Sequence, residues 1–180
     1  MIGRTISSLP LIIGFVTAIW VVELVNSFMG HQLNVWGILP RTLHGLIGIP
    51  LSPFLHGSFS HAMSNTIIFL GLSSLIAPRG SKILLWVSLF IILLGGVGVW
   101  VLGRSAIHVG ASGLVFGYFG YLVSRGWYER RPGSILVAIA VIVLYGGLIV
   151  GVLPVPGFIS WESHLFGLIA GVLAARNQRR

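Results

Sequence analysis

Six apolar stretches alternate with short polar segments along the chain, and charged residues, proline or glycine mark their ends. Several of these stretches approach the 20 residues with which a helix spans the core of a bilayer. The pattern predicts helices over residues 9–29, 61–77, 83–102, 111–124, 134–153 and 163–175, all within a single domain, residues 1–180. A segment of mixed character, residues 30–60, separates the first two helices. The chain is therefore predicted to be an all-α membrane protein with six transmembrane helices.

The composition supports this prediction and excludes a soluble globule. Only 8% of the residues are charged, against about 25% in soluble domains, and the mean hydropathy is +1.00. The net charge of +8 does not indicate a nucleic-acid partner, because the basic residues lie in short clusters between apolar stretches. The absence of cysteine excludes disulfides and thiolate metal sites. Aspartate is absent too, which leaves three acidic residues: Glu23, Glu129 and Glu162.

The distribution of lysine and arginine predicts the orientation, because cytoplasmic loops carry an excess of both. If the N-terminus is cytoplasmic, nine basic residues lie on that side: Arg4, Arg79, Lys82, Arg125, Arg130, Arg131, Arg176, Arg179 and Arg180. Only Arg41 and Arg104 then lie on the other side. We therefore expect both termini in the cytoplasm and residues 30–60 outside. The compact chain fits a protein of a prokaryotic plasma (inner) membrane.

Polar residues occur at one depth in the second, fourth and sixth predicted helices. With a helical rise of about 1.5 Å per residue, Ser112, His164 and Asn65 lie about 20, 18 and 21 Å above the basic residue that ends their helix. His61 shares the face of Asn65, since residues four apart align on a helix. All of them should therefore lie about 10 Å below the outer surface of a 30 Å apolar core. Polar groups inside a membrane are costly and usually functional.

Ser112 is the candidate nucleophile. It lies in the sequence Gly110-Ala111-Ser112-Gly113 at the predicted start of the fourth helix. Glycine on both sides permits a sharp turn and the close approach of other groups. The free amides and the positive dipole end of the helix would stabilise an oxyanion that develops beside the serine. The alternative is that Ser112 only caps the helix within a packing motif.

His164 opens the sixth predicted helix and is the candidate base for Ser112, since a serine hydroxyl needs a neighbouring base to become nucleophilic. The pairs Gly113-x3-Gly117 and Gly167-x3-Gly171 are small-residue motifs that let the fourth and sixth helices approach closely. Two readings remain open beside this one. The histidine could cap its helix or meet water near the interface, and the glycines could serve ordinary helix packing.

His61 and Asn65 offer two side-chain donors on one face of the second helix, where they could join the Ser112 amide in an oxyanion hole. The alternative is that they form polar contacts between helices. No carboxylate for a triad is evident, since Glu162 is expected to meet water outside the membrane and Glu23 is far in sequence. A Ser–His dyad is therefore favoured, with Glu162 a weak candidate for orienting the histidine. The remaining histidines do not form a spaced metal set and are interpreted as structural or interfacial: His31, His44, His56 and His108.

Three motifs together resemble the rhomboid intramembrane proteases. They are His56-x4-His61-x3-Asn65, Gly110-x-Ser112-Gly113, and Ser160-Trp161-Glu162-x-His164-x2-Gly167-x3-Gly171. They occur in the order and on the helices typical of that family, and the similarity covers about residues 51–176. The resemblance implies a six-helix bundle around a water-filled cavity that opens to the outside.

The resemblance also implies a role for each residue. Ser112 would be the nucleophile and His164 the general base, while His61, Asn65 and the Ser112 amide would form the oxyanion hole. Phe116, one turn after the serine, would stack near His164, although family members often carry tyrosine there. The implied substrates are transmembrane proteins, cleaved in or next to a helix within the lipid bilayer, without a metal or an organic cofactor.

Other classes of membrane protein fit the sequence less well. A zinc protease needs a His-Glu-x-x-His helix and an aspartyl protease needs two aspartates, and the chain has neither. A rhomboid-like protein without catalysis, which binds membrane segments as a chaperone or adaptor, would not need both Ser112 and His164. A small transporter or channel would leave the glycine-flanked serine unexplained. The sequence does not predict the substrate, the gate that admits it or the oligomeric state.

Overall fold

The computed structural model describes residues 2–154 and 159–178, and the predicted cytoplasmic residues Arg179 and Arg180 lie outside this range. Within the described residues the chain forms seven α-helices. They are α1 (Ile2–Phe28), α2 (Leu43–Leu51), α3 (Phe59–Ile76), α4 (Ser81–Leu102), α5 (Ser112–Glu129), α6 (Pro132–Tyr145) and α7 (Trp161–Asn177). The same residues contain no β-strand, and the architecture is all-α, as predicted.

Six of these helices correspond to the six predicted segments, but several ends differ. α1 begins at Ile2 rather than at residue 9, and α5 extends to Glu129 rather than to residue 124. α5 continues because its last turn carries an ion pair between Arg125 and Glu129, four residues apart. The apolar stretch after α6 changes at Gly146 to a 3-10 helix, Gly146–Val152. Glycine at this point favours the change, because it disfavours a continuous α-helix.

Residues 30–60 contain a further helix, α2, which the hydrophobic pattern did not separate from the loop. This segment packs against the C-terminal end of α4. The side chain of Arg41 donates hydrogen bonds to the carbonyls of Val101 (3.2 Å) and Gly103 (2.8 Å), and the indole of Trp100 donates to the carbonyl of Thr42 (2.8 Å). The two bonds from Arg41 satisfy carbonyls that the end of α4 leaves without helical partners. The segment is therefore ordered and bonded to the end of α4, and it is not an open loop.

Four helical segments of the described chain are long and apolar enough to cross a membrane: 3–28, 59–79, 81–102 and 132–152. α7 is shorter and α5 carries more polar residues, yet both are well buried. α5 is surrounded by α3, α4, α6 and α7, and its largest interface is with α7. Because α5 faces other helices rather than lipid, its polar residues can lie at membrane depth. The fold is thus a multi-span helical membrane bundle with α5 at its centre.

Glycines bring the backbones of α5 and α7 into direct contact. A Cβ atom at Gly171 would lie 1.9 Å from the carbonyl oxygen of Gly117, and one at Gly167 would lie 2.0 Å from that of Gly113. A side chain at either position would force the helices apart. Gly113, Gly167 and Gly171 therefore have the role that the sequence predicted, which is close approach of the two helices. A Cβ at Gly117 would instead meet Ile91 of α4.

A polar cluster joins four helices at the end of the bundle opposite α2. Glu129 at the end of α5 pairs with Arg79 at the end of α3 and with Arg125 (2.9 Å), and it accepts a hydrogen bond from Ser134 of α6. Gln178, which follows α7, accepts hydrogen bonds from Arg79 (3.5 Å) and Tyr121 (2.9 Å). The basic residues at this end are thus partly neutralised and hold the helix ends together.

The α5–α7 contact leads to the first prediction. We expect Gly171→Ala to lower the free energy of unfolding by about 1–3 kcal/mol, because a methyl group overfills a packed interface. The matched control is Gly14→Ala, since a Cβ at Gly14 in α1 would meet no atom within 4 Å. Thermal unfolding in detergent measures both. Equal melting temperatures for the two variants would contradict the close contact.

Candidate active site

One cavity of about 690 Å³ contains the residues that the sequence selected. Its walls include Ser112, His164, His61, Asn65 and Phe116. These side chains come from α3, α5 and α7. Helical rise predicted that they lie at a similar depth, and they do line the same cavity. The rest of the lining is mostly small or apolar, with Ile107, Val109, Gly147, Leu148, Gly151 and Ile159.

Ser112 is the first residue of α5 and follows a turn that only glycine fits. Gly110 has a φ of +116°, in the left-handed region that side chains avoid. A Cβ there would also lie 2.9 Å from Nε2 of His61. Gly110 is therefore required both for the backbone turn and for the approach of His61 to the serine.

Two backbone amides of this turn donate hydrogen bonds within the protein, and a third does not. The amide of Gly110 donates to the carbonyl of Ser52 (2.9 Å), and the amide of Ala111 donates to Nε2 of His56 (3.2 Å). The amide of Ser112 makes no hydrogen bond within the described part of the chain. It belongs to the first turn of α5, where backbone donors have no helical partner. The Ser112 amide thus remains available to a ligand beside its own side chain.

His56 was predicted to be structural, and its contact with the serine turn had no signal in the sequence. The ring is fully buried, and its centroid lies 5.0 Å from that of His61 in an edge-to-face arrangement. The pKa of His56 is lowered to about 3, mainly by burial and in the same direction by the neighbouring His61. The ring is therefore neutral at physiological pH, with Nε2 as acceptor and the hydrogen on Nδ1.

His164 lies in the first turn of α7, where its ring has a hydrogen-bond partner and a stacking partner. Its Nδ1 lies 2.8 Å from the carbonyl oxygen of Gly151, which can only accept a hydrogen bond. Nδ1 therefore carries the hydrogen, and Nε2 is left as the basic nitrogen. The ring stacks on Phe116, with centroids 4.1 Å apart and planes at 3°, which is the contact that the resemblance implies.

Ser112 and His164 share the cavity, but no hydrogen bond joins their side chains among the described residues. Nucleophile–base hydrogen bonds are often long without a substrate and shorten in the reacting complex. Gly151 lies close to the stacked rings of Phe116 and His164, since a Cβ there would lie 2.7 Å from the ring of Phe116 and 3.3 Å from Nδ1 of His164. The sequence reasoning missed Gly151, because its contact with His164 depends on where the 3-10 helix after α6 packs.

Two side-chain donors lie beside the serine turn. The Nδ2 atom of Asn65 is buried and has no hydrogen-bond partner in the described chain. A Cβ at Gly110 would lie 3.6 Å from this nitrogen, so Asn65 and His61 both approach the backbone next to Ser112. Buried donors are rarely left unsatisfied, and such exceptions often mark a site that binds a ligand. An oxygen that bears negative charge would satisfy the donors here.

The carboxylates lie elsewhere than the sequence suggested. Glu162 was expected to meet water outside the membrane, and this is wrong: it is 2% exposed and pairs with Nε of Arg104 at 3.5 Å. Glu23 is fully buried and faces Nε2 of His31 at 3.3 Å. The partner of His164 is instead the carbonyl of Gly151. The signal that would have placed Glu162 is Arg104, its partner in the preceding outer loop.

Comparison with known proteins identifies the family. The sequence model of the Rhomboid domain matches residues 40–178. An uncharacterised protein of Mycobacterium bovis is 38% identical over 173 residues, which cover 91% of this chain and 72% of that protein. A chloroplastic protein of Arabidopsis thaliana, named rhomboid-like protein 11, is 35% identical over 91 residues, or 47% of this chain and 31% of that protein. Because the Rhomboid domain covers most of the chain and includes every residue of the candidate site, this multi-span membrane protein belongs to the rhomboid family.

Proposed function

We propose that the chain is an intramembrane serine endopeptidase that cleaves transmembrane or juxtamembrane segments of membrane proteins by a Ser–His dyad. One observation carries the proposal. A hydroxyl, an imidazole whose Nδ1 is bonded and whose Nε2 is not, and three donors line one cavity: the side chains of His61 and Asn65 and the Ser112 amide, none with a hydrogen-bond partner among the described residues. This is the set of groups that acyl transfer by a serine requires.

The chemistry follows from the roles of these groups. Nε2 of His164 takes the proton of Ser112 as Oγ attacks the scissile carbonyl. The carbonyl oxygen becomes an oxyanion and accepts hydrogen bonds from Asn65, His61 and the Ser112 amide. The imidazolium then protonates the leaving amine, which leaves an acyl-enzyme. Water repeats the sequence in reverse and releases the acid product together with the free serine.

The substrate must present an unwound segment, because a helical peptide bond is shielded and its carbonyl is already hydrogen-bonded. The described lining of the cavity contains no carboxylate, lysine or arginine. A charged side chain would find no counter-ion there and would have to give up its hydration. The substrate residues that enter the cavity are therefore apolar or small.

The location in the cell belongs to the same proposal. Arg79 and Arg125 lie in the polar cluster at one end of the bundle, and Arg41 bonds to the chain beside Arg104 at the other end. The larger basic group marks the cytoplasmic side by the usual bias. The protein then lies in the plasma (inner) membrane with both termini inside, and the active site opens to the extracytoplasmic side.

The central test is covalent labelling of the purified protein by a fluorophosphonate. Labelling forms a bond from Oγ of Ser112 to phosphorus and expels fluoride, while His164 takes the proton. We expect Ser112→Ala to abolish labelling and His164→Ala to lower its rate at least about a thousandfold, since the two residues act as a unit. Ser74→Ala is the control, because this exposed serine bonds only the carbonyl of Gly71 in its own helix.

If folded wild type is not labelled, the protein is not an active serine protease. This result would favour the alternative function, a rhomboid-like protein that binds membrane segments without cleaving them. A fluorescent substrate helix that binds equally to wild type and Ser112→Ala, and is never cut, would identify that role.

The oxyanion hole gives a second test. We expect Asn65→Ala to lower the turnover rate by about 10²–10³, which is the usual cost of removing one such donor. The control is Ser64→Ala on the exposed side of the same helix, where the hydroxyl bonds only the carbonyl of His61. Cleavage of a fluorogenic transmembrane substrate measures both. Turnover by Asn65→Ala at the rate of Ser64→Ala would remove Asn65 from the mechanism.

The orientation can be tested with single cysteines, since the chain has none of its own. Ser60→Cys lies at the exposed start of α3 and Gly133→Cys at the exposed start of α6. We expect a membrane-impermeant maleimide to label Ser60→Cys on intact spheroplasts and Gly133→Cys only after lysis. The reverse pattern would invert the proposed topology.

A further inference from the structure

Ser112 and His164 lie at the starts of α5 and α7, at the edge of the contact between these two helices. Ser112 directly follows the loop between α4 and α5, residues 103–111, and His164 lies in the first turn of α7. The glycine contacts begin beside the site, where a Cβ at Gly113 would lie 3.2 Å from the carbonyl oxygen of Ser163, and they do not include the loop before Ser112. The distance from Ser112 Oγ to His164 Nε2 therefore also depends on how this loop is joined to the start of α7.

A buried ion pair makes the first connection. Oε1 of Glu162 lies 3.5 Å from Nε of Arg104 and also accepts a hydrogen bond from the backbone amide of Arg104 (3.4 Å). The guanidinium donates a further bond to the carbonyl of Ile159 at 2.6 Å. Glu162 is 2% exposed, so its charge depends on this arginine for compensation. Arg104 thus binds Ile159 just before α7 and Glu162 in the first turn of α7.

A chain of hydrogen bonds makes the second connection, and its direction is determined. Nε2 of His108 faces the carbonyl of Arg104 (3.1 Å), so it carries the hydrogen, and Nδ1 must accept from the hydroxyl of Ser160 (2.6 Å). Ser160 in turn accepts from the hydroxyl of Ser163 (2.7 Å) and from its amide (3.3 Å). Ser160 is the N-cap of α7, so His108 orients the residue that starts this helix.

The protonation state of His108 agrees with this arrangement. The ring is 2% exposed, and burial lowers its pKa below the usual value. Its hydrogen bond to the carbonyl of Arg104 and the nearby Glu162 act in the opposite direction, and the charge of Arg104 adds to the lowering. A neutral ring keeps Nδ1 free to accept the hydrogen of Ser160.

We infer that Arg104, His108, Ser160 and Glu162, here called the outer clamp, position His164 against Ser112. The inference rests on the proposed function and adds four residues that do not touch the reacting atoms. The clamp holds the first turn of α7 to the loop that ends in Ser112, and so sets the distance between nucleophile and base. Loss of one clamp contact should slow the chemical step, because a displacement of about 1 Å at reacting atoms costs up to about 10²-fold in rate.

The test separates binding from chemistry by measuring how the rate of phosphonylation depends on fluorophosphonate concentration. We expect Ser160→Ala and Glu162→Gln to lower the maximal rate about 10- to 100-fold, with the half-saturating concentration within about twofold of wild type. Ser160→Thr keeps the hydroxyl and should restore most of the rate. Ser74→Ala is again the control. Wild-type maximal rates in both clamp variants, or a Ser160→Thr variant as slow as Ser160→Ala, would overturn the inference.

Amide hydrogen exchange gives a readout that does not need catalysis. We expect Ser160→Ala to accelerate exchange in residues 104–111 and 160–164 and to leave the centre of α5 unchanged. If wild type is never labelled, the proposed function fails, while unchanged exchange in this variant overturns the clamp independently.

If the variants fail to fold, the inference can still be tested on the wild-type protein. ¹⁵N NMR should find His108 neutral at pH 7 with its hydrogen on Nε2. A charged ring, or a hydrogen on Nδ1, would overturn the inference.

Discussion

The close approach of α5 and α7 is the constraint on which the rest of the structure depends. In lipid no hydrophobic force drives helices together, so packing and polar contacts must do so. Glycine at positions 113, 120, 167 and 171 lets carbonyl oxygens of one helix reach the backbone of the other. This contact makes α5 a central helix enclosed by its neighbours, and it places the start of α5 beside the start of α7. A serine and a histidine at those two starts then face the same cavity.

Many of the polar groups in the described chain have a specific partner or belong to the candidate site. The neutral ring of His56 accepts from the serine turn, and the ion pairs of Glu129 lie at the opposite end of the bundle. Beside Ser112, its own amide and Nδ2 of Asn65 have no hydrogen-bond partner in the described chain. Both donors lie within the site, where the oxyanion of the proposed reaction would be placed.

Much of this arrangement could be predicted from the sequence. The rise of a helix is constant, so counting residues from a terminal arginine placed Ser112, His164 and Asn65 at one depth. Their shared cavity agrees with that count. Spacing of glycines likewise predicted which helices touch. These features are local in sequence or follow from regular geometry.

The contacts that depend on irregular segments could not be predicted. Glu162 was placed in water, because nothing local indicates that Arg104, 58 residues earlier in the chain, returns to meet it. The acceptor for Nδ1 of His164 is a backbone carbonyl, which carries no residue signature at all. The helix within residues 30–60 was missed as well, because its apolar residues merge with the surrounding mixed pattern.

The bond from His164 to the carbonyl of Gly151 has a consequence for the strength of the base. A carboxylate in that position would neutralise the imidazolium that forms during attack, whereas a carbonyl offers only its dipole. The full positive charge must then be carried by the ring itself, beside an aromatic face that attracts cations. In the proposed reaction Phe116 would thereby act as an electrostatic partner of the transition state as well as a packing surface.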